Sequence, residues 1–132
     1  MKENITVPKL VIIGDSAYDT NRFIGEDGSH FFKTNYGGAG TYSSVPASLF
    51  YRVGLVSNAG EDFNVDKLKK FNIDLRGFHT RKDEKTSRFY NILKTRDGQE
   101  REIAAEYNER LTATFDDIPC LLYTSDAADE LD

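Results

Sequence analysis

A run of closely spaced glycines, Gly37-Gly38-Ala39-Gly40, limits the possible folds of this chain more than any other feature, because a short predicted helix follows it directly. Glycine has no Cβ, so backbone amides in such a run can approach a small ligand closely, and positive φ angles are accessible. A tight turn before a helix uses Gly-Gly in the same way without any ligand. The run therefore predicts a ligand-binding turn or a structural turn, and its surroundings must decide between them.

The segments around the glycine run predict an α/β fold built on a parallel sheet. The apolar run at residues 10–13, which ends at Gly14, is typical of a buried parallel strand. The further predicted elements are a helix after the glycine run, a strand at residues 52–57, a helix at residues 63–71 capped by Asp62, and a strand at residues 75–79. Alternation of strands and helices at this pitch predicts parallel strands joined by crossovers.

The helix after the glycine run contains a proline, Pro46. The apolar residues that share one face of this helix are Tyr42, Val45, Leu49 and Phe50. An interior proline removes a backbone donor, so two starting points are open. Either Ser43 or Ser44 caps a late start with the proline in the first turn, or the helix begins at Gly40 and bends.

Two Asp-Gly dipeptides predict antiparallel hairpins that interrupt the α/β framework. Asp27-Gly28 lies between apolar pairs and favours a type I′ turn. Asp97-Gly98 joins two further segments of alternating or apolar character. We expect hairpins at about residues 20–35 and 84–106, forming a small lid sheet over one edge of the parallel sheet.

Charge and composition argue against several classes of partner. The chain has 17 basic and 22 acidic residues, and four of the acids follow residue 119, so residues 1–119 are nearly neutral. A nearly neutral surface does not favour nucleic acid or an anionic membrane. No stretch approaches the roughly twenty apolar residues that span a bilayer, and no signal peptide is evident. The absence of cysteine from residues 1–119 fits a reducing compartment, so we expect a cytoplasmic protein.

The end of the sequence differs in character from the rest. Residues 120–130, which include the only cysteine, Cys120, resemble sequencing-adaptor DNA translated in one reading frame. An ordinary acidic tail is the alternative. We expect residues 120–132 to be non-native and residues 1–119 to be the amino-terminal part of a domain truncated at its carboxyl end. Cys120 then carries no information about disulfides, zinc or a thiol nucleophile.

The glycine run and the early strand together resemble the amino-terminal signature of the PfkB, or ribokinase-like, sugar and nucleoside kinases. The family pattern G-G-x-x-x-N/Y-x-A/S is matched from Gly37 to Ser44, and the resemblance extends over residues 9–114. It implies an α/β fold, a ribokinase-like parallel sheet with flanking helices plus a small antiparallel β lid. Many members have asparagine in place of Tyr42, and ribokinases proper have asparagine in place of Ala17, so ribose is disfavoured as the substrate.

The resemblance also implies a set of substrate-binding residues. They are Asp19, Gly37, Gly38, Tyr42, Arg88 and Asn108. Asp19 would hold sugar hydroxyls, because a carboxylate accepts two hydrogen bonds at once; closing an Asx-turn is its alternative role. Asn108 lies in a segment that resembles the family's A-N-x-x-L-T stretch, and the loop at Asp62 resembles the V-G-x-D segment, which we expect to be mainly structural.

Strand alternation places Arg88 and Tyr90 on one face of the lid, opposite Phe89 and Asn91. One of these faces would meet a ligand or a partner, and simple packing of the lid is the alternative. His30 and His79 have no companions at metal-ligand spacing, so no metal site is expected.

By this resemblance the parent protein would be an ATP- and Mg²⁺-dependent kinase that phosphorylates a hydroxyl group of a sugar or nucleoside. The family's second signature, D-T-x-G-A-G-D, supplies the catalytic base and the anion hole and does not occur in this sequence. We therefore expect no catalytic residue and no bound cofactor in this fragment, and no activity from it. A homodimer through the lid sheet would fit the family.

Two other classes of function remain open. One is a non-catalytic carbohydrate-binding or dimerisation module. The other is a dinucleotide-binding oxidoreductase domain. The segment from Gly14 to Asp19 lacks the G-x-G-x-x-G pattern of such domains, which argues against this class.

Overall fold

A parallel core sheet organises the computed structural model, which describes residues 7–119. The strands of this sheet are β1 (Leu10–Ile13), β4 (Val53–Gly60), β5 (Ile73–Asp74) and β6 (Phe78–Arg81). Strands β1, β5 and β6 each pair with β4 in parallel, and every residue of β4 is buried. The predicted parallel sheet is confirmed, although two short strands replace the single strand expected at residues 75–79. The segment that resembles adaptor DNA, with Cys120, lies outside the described residues.

Strand β1 is less buried than its apolar sequence predicts. Within residues 7–119 it pairs only with β4, so its other edge is open. Leu10 and Ile13 are 42% and 52% exposed. A continuous apolar run indicates burial on both faces. The described part of the chain pairs only one edge of β1 and leaves its side chains partly buried or exposed.

The lid is a single four-stranded sheet. Its strands are β2 (Ala17–Ile24), β3 (His30–Gly37), β7 (Arg88–Leu93) and β8 (Arg101–Glu106), in the order β3-β2-β7-β8. Both predicted hairpins are confirmed as antiparallel pairs, and parallel pairing of β2 with β7 joins them into one sheet.

The turn of the first hairpin is not type I′. Of its residues only Gly28 has positive φ, at 81°, whereas a type I′ turn needs two such residues. The Gly28 amide donates to the Gly25 carbonyl at 3.0 Å, and the Gly25 amide donates to the Ser29 carbonyl at 2.7 Å. The Asp27 carboxylate accepts from the amide and the hydroxyl of Ser29. These bonds favour a three-residue loop that ends in a glycine.

Helix α1 (Ala39–Ala47) begins one residue before Gly40, the earlier of the two predicted starts, and its fully buried residues are small. Gly38, at φ 88°, precedes it without a side-chain cap, and Pro46 lies inside the helix. The buried residues of α1 are Gly40, Thr41 and Ser44. Tyr42, inside the helix, and Leu49 and Phe50, beyond its end, are exposed. Of the predicted apolar face, Val45 packs against the core, and the prediction is wrong for the other three residues. Small residues face the core because α1 packs closely on the chain leaving β1.

The helix predicted at residues 63–71 is a 3₁₀ helix, Val65–Lys70, and its cap is Asn64, not Asp62. The Asn64 side chain accepts a hydrogen bond from the Asp66 amide at 3.0 Å. Asp62 is unavailable as a cap because its carboxylate accepts from the Thr86 amide at 2.8 Å. Two shorter 3₁₀ helices, Glu109–Leu111 and Phe115–Asp117, follow the lid.

The hydrophobic core lies between the parallel sheet and the base of the lid. Its buried members are Leu55, Ala59, Phe63, Leu68 and Ile73. Tyr18 of β2 and Tyr36 of β3 pack against this cluster. The lid is therefore attached to the core through one of its faces, and its other face is left free to form a site.

Candidate functional site

Asp19 and Gly37 meet where the lid joins the core. In the β2–β3 pairing Asp19 lies opposite Asn35, and Gly37 lies opposite Ala17. A Cβ built on Gly37 would lie well under 3.0 Å from the carboxyl carbon of Asp19, a separation that real Cβ atoms do not show. The Asp19 carboxyl therefore occupies the space that a side chain at position 37 would need, and only glycine leaves it there.

The Asp19 carboxyl is half-buried, and within residues 7–119 no side-chain hydrogen bond or ion pair reaches it. Burial raises the pKa of this carboxyl above its ordinary value. Asp62 is different, because hydrogen bonds from Thr86 and the charge of Arg88 outweigh burial and lower its pKa. An unpaired, partly desolvated carboxylate is a strong acceptor for hydroxyl groups, which is the chemistry that sugar binding requires.

The other glycines of the run serve packing. A Cβ on Gly38 would overlap the Asp15 carbonyl, and one on Gly40 would lie 2.7 Å from the Gly14 carbonyl oxygen. The Gly40 amide also donates to the Asp15 carbonyl at 2.9 Å. The structural explanation of the glycine run therefore holds at Gly38 and Gly40, while Gly37 is the position directly against the Asp19 carboxyl.

The register of the lid places further polar side chains on the Asp19 face. Directly opposed residues of neighbouring strands point to the same face. Asp19 lies opposite Asn35 on one side and Phe89 on the other, and Asn21 lies opposite Asn91. Sequence reasoning missed Asn35 and Asn91 as site residues. Alternation along β7 places Phe89 and Asn91 on the opposite face from Arg88. Only the pairing of β2 with β7 shows that Asp19 lies on the face of Phe89 and Asn91.

Arg88 lies on the opposite face of the lid from Asp19. It pairs with Tyr18 in the register, and its guanidinium lies 5.0 Å from the centre of the Tyr18 ring. An Arg88 nitrogen is 3.6 Å from the Asp62 carboxylate. The structure therefore does not bring Arg88 together with Asp19, although the sequence resemblance placed both in one substrate site.

Asn108 is also separate from Asp19, and its side chain is fully engaged. Its amide group donates to the Glu84 carboxylate at 2.8 Å and to the Lys85 carbonyl at 3.0 Å. Its side-chain oxygen accepts from the Arg110 amide at 3.2 Å. It lines a polar cavity of about 380 Å³ that Arg88 also lines and Asp19 does not. These contacts fix the end of the lid to the segment that follows it.

Tyr42 is 61% exposed and lines an apolar groove of about 440 Å³ between α1 and the 3₁₀ helix Val65–Lys70. Tyr36 and Phe71 line the same groove, and Asp19 does not. Of the six residues expected to bind substrate, the structure therefore brings Asp19 and Gly37 together, while Gly38 packs on the Asp15 carbonyl. It places Tyr42, Arg88 and Asn108 elsewhere.

Within the described part of the chain, no three His, Cys, Asp or Glu side chains come together as a metal-binding group. Over the same residues, no helix combines the length and the apolar character needed to cross a membrane.

No known family profile and no curated protein matches the sequence. Solved structures of sugar kinases do match the fold. An uncharacterized sugar kinase from Pyrococcus horikoshii in complex with ATP superposes with a TM-score of 0.69 at 22% identity, over 88% of this chain and 40% of that chain. An apo fructokinase from Vibrio cholerae superposes with a TM-score of 0.66 at 21% identity, over 86% of this chain and 40% of the fructokinase chain. A ribokinase from Arabidopsis thaliana complexed with ribose and ATP superposes with a TM-score of 0.57 at 25% identity, over 76% of this chain and 36% of the ribokinase chain.

These similarities show the fold, which is the mixed α/β arrangement of ribokinase-like sugar kinases. They confirm the resemblance that the motif from Gly37 to Ser44 indicates. The chain spans between 36% and 40% of the length of the three solved structures.

Proposed function

We propose that this chain is the substrate-binding part of a longer ATP-dependent kinase that phosphorylates a hydroxyl group of a sugar or nucleoside. The fold supports this proposal, because the solved structures that share it include a sugar kinase, a fructokinase and a ribokinase. A nucleoside kinase from Burkholderia thailandensis in complex with inosine also shares it, with a TM-score of 0.62 at 13% identity, over 74% of this chain and 36% of that chain. Ribose and inosine, which are bound in the ribokinase and the nucleoside kinase, are both hydroxylated small molecules.

The observation that carries the proposal is the packing of the Asp19 carboxyl against Gly37 at the junction of lid and core. The carboxyl faces the free side of the lid and has no side-chain partner within residues 7–119. Two neighbouring hydroxyls of a sugar can donate to its two oxygens at once. The amides of Asn35 and Asn91, on the same face, can both donate to and accept from further hydroxyls.

The residues described here would bind and orient the acceptor. Asp19 would hold the sugar by its hydroxyls, and the lid face that carries Phe89 would cover the sugar and exclude water. ATP and Mg²⁺ would supply and activate the transferred phosphoryl group. Their binding is proposed only for the longer parent protein, because this chain spans 40% and 36% of two ATP-complexed kinases that share its fold.

A titration of the 132-residue chain followed by NMR tests the proposal. Ribose, fructose and inosine are added separately to the ¹³C,¹⁵N-labelled chain, and the signals of Asp19, Asn35 and Asn91 are followed. We expect saturable shifts at these three residues and their loss in Asp19→Asn, which keeps the side-chain shape and removes the charge. Shifts confined to other residues, or equal shifts in Asp19→Asn, would overturn the proposal.

The dinucleotide-binding alternative finds no support in the strand order. Strand β1 leads through Gly14 into the lid strand β2, whereas a dinucleotide-binding unit leads from its first strand into a helix. No observation on residues 7–119 favours a non-catalytic binding module over a kinase part.

A further inference from the structure

Two tyrosines bind the lid to one short segment of the core, on the lid face opposite Asp19. We propose that Tyr18 and Tyr36 form a latch on the segment from Asp62 to Asn64, and that this latch positions Asp19 and Asn35 for a hydroxylated ligand. The proposal rests on the function proposed above. In it the two tyrosines are positioning residues, which act through their neighbours in the strands.

The hydroxyl groups of both tyrosines bond to main-chain groups of this segment. The Tyr18 hydroxyl donates to the Asp62 carbonyl at 3.1 Å and accepts from the Asn64 amide at 2.9 Å. The Tyr36 hydroxyl donates to the Asn64 carbonyl. Two strands of the lid thus bond to a stretch of three core residues, which fixes the distance and the angle between lid and core at this point.

An aromatic stack supports these hydrogen bonds. The rings of Tyr18 and Tyr36 are stacked, with centroids 5.5 Å apart and planes at 23°. Both rings contact Phe63, at centroid distances of 5.3 and 5.1 Å, and Phe63 is a buried member of the core. Aromatic contacts of this kind stabilise the folded state by more than their buried area alone would give.

A cation lies beside each tyrosine of the latch. The Arg88 guanidinium is 5.0 Å from the Tyr18 ring centre, and the Lys67 ammonium is 5.3 Å from that of Tyr36. Arg88 comes from β7, so a third strand of the lid is attached to the same point. Arg88 therefore has a structural role in the latch, and this role does not depend on the contact with substrate that the sequence predicted.

Strand geometry connects the latch to the site. Asp19 follows Tyr18 and Asn35 precedes Tyr36, and the two tyrosines are paired in the register directly beside the Asp19–Asn35 pair. Neighbouring residues of a strand are only about 3.3 Å apart along it and point to opposite faces. A rotation of the lid at the tyrosines would therefore move both polar side chains of the site.

The test uses the 132-residue chain and the variants Tyr18→Phe, Tyr36→Phe and the double variant. Tyr90→Phe is the matched control, because the Tyr90 hydroxyl also makes a 3.1 Å hydrogen bond, to Glu106, but within the lid. Two quantities are measured for each protein. They are the amide hydrogen-exchange rates of β2, β3 and β4, and the dissociation constants for ribose, fructose and inosine from the NMR titration.

We expect the double variant to exchange at least about tenfold faster in β2 and β3, because it loses all three hydrogen bonds of the latch. Exchange in β4 should be unchanged. The dissociation constant of whichever polyol binds the wild-type chain should rise severalfold, because Asp19 and Asn35 are then held less firmly in their binding positions. Tyr90→Phe should change neither quantity. Removal of the hydroxyls leaves the aromatic stack in place, so the variants should fold.

Each contrary result has a distinct meaning. Unchanged exchange and affinity in the double variant, with polyol binding by the wild-type chain intact, would overturn the latch alone. Faster exchange in β4 to the same extent as in β2 would show general destabilisation and would also overturn it. Failure of the wild-type chain to bind any of the three polyols would overturn the proposed function and, with it, the positioning role.

Discussion

The carboxyl group of Asp19 lies directly against the Cα of Gly37, in the space that any larger residue at position 37 would fill. Asp19 belongs to the strand that leaves the core, and Gly37 ends the strand that returns to it. The contact therefore joins the two chain segments that connect the lid to the core. It places an acceptor group at a point where both parts of the fold can contribute to a site.

The first prediction concerns Gly37→Ala. The added methyl group would overlap the Asp19 carboxyl, and we expect the free energy of unfolding to fall by about 1–3 kcal/mol, as for other overpacked sites. In a double-mutant cycle, Asp19→Ala should relieve most of this loss, because it removes the overlapping atoms. Urea denaturation of the four proteins measures the coupling. Additive losses would show that Gly37 is required for a different reason.

The second prediction concerns pH. Burial raises the pKa of Asp19 in the folded chain above its ordinary value of 3.8, so the folded state retains a proton that the unfolded chain has lost. Ionisation of Asp19 therefore lowers the free energy of unfolding as the pH rises from 3.8 through the folded pKa. Asp19→Asn cannot ionise, and its stability relative to the wild type should increase over this range and be constant on either side of it.

Asp62→Asn is the control for this prediction, because the effect of pH on the stability that Asp62 contributes has the opposite sign. Hydrogen bonds from Thr86 and the charge of Arg88 outweigh burial and lower the pKa of Asp62, so this carboxylate stabilises the fold above pH 3.8 and loses that effect as the pH falls. A carboxyl ¹³C titration reports both groups directly. An Asp19 pKa at or below 3.8 would contradict the second prediction.

The third prediction is that the 132-residue chain associates with itself. Ile13 is 52% exposed on the open edge of β1, and Leu49 and Phe50 are 74% and 78% exposed beyond α1. Exposed apolar residues beside an unpaired strand edge recruit other chains. Sedimentation velocity should show oligomers in the wild type and more monomer in the variant Leu49→Ser/Phe50→Ser.

Ser43→Ala, an exposed change within α1, is the control for this prediction and should leave the distribution unchanged. A single monomer boundary for the wild-type chain across the micromolar range would show that these surfaces do not mediate association.

Local signals predicted the framework of the fold. The apolar run before Gly14, the two Asp-Gly turns and the glycine run depend on interactions within a few residues, and the structure has a strand, two hairpins and a helix at these places. The α1 face was not predictable in the same way. Its orientation depends on how closely Gly40 packs on Gly14, a contact between residues far apart in sequence.

The candidate site depends even more on long-range pairing. Alternation along β7 separates Arg88 from Phe89, but no local signal states that β7 pairs in parallel with β2. That register alone assigns Phe89 and Asn91 to the Asp19 face. The cap of the 3₁₀ helix was missed for a related reason, because the Asp62 carboxylate bonds to the distant Thr86 amide instead of the next helix.

The last prediction concerns Asp19→Ala in a longer parent protein that carries the phosphoryl-transfer residues. If Asp19 binds substrate hydroxyls, the variant loses a charged hydrogen-bond partner that typically stabilises by roughly 1.5–3 kcal/mol. We then expect kcat/KM for the sugar or nucleoside to fall about ten- to over a hundredfold, with the affinity for nucleotide nearly unchanged. Asp116→Ala, which removes an exposed carboxylate far along the chain from Asp19, is the matched control. Steady-state kinetics together with a thermal-shift measurement check the result, and an unchanged kcat/KM in a well-folded Asp19→Ala variant would restrict Asp19 to a structural role against Gly37.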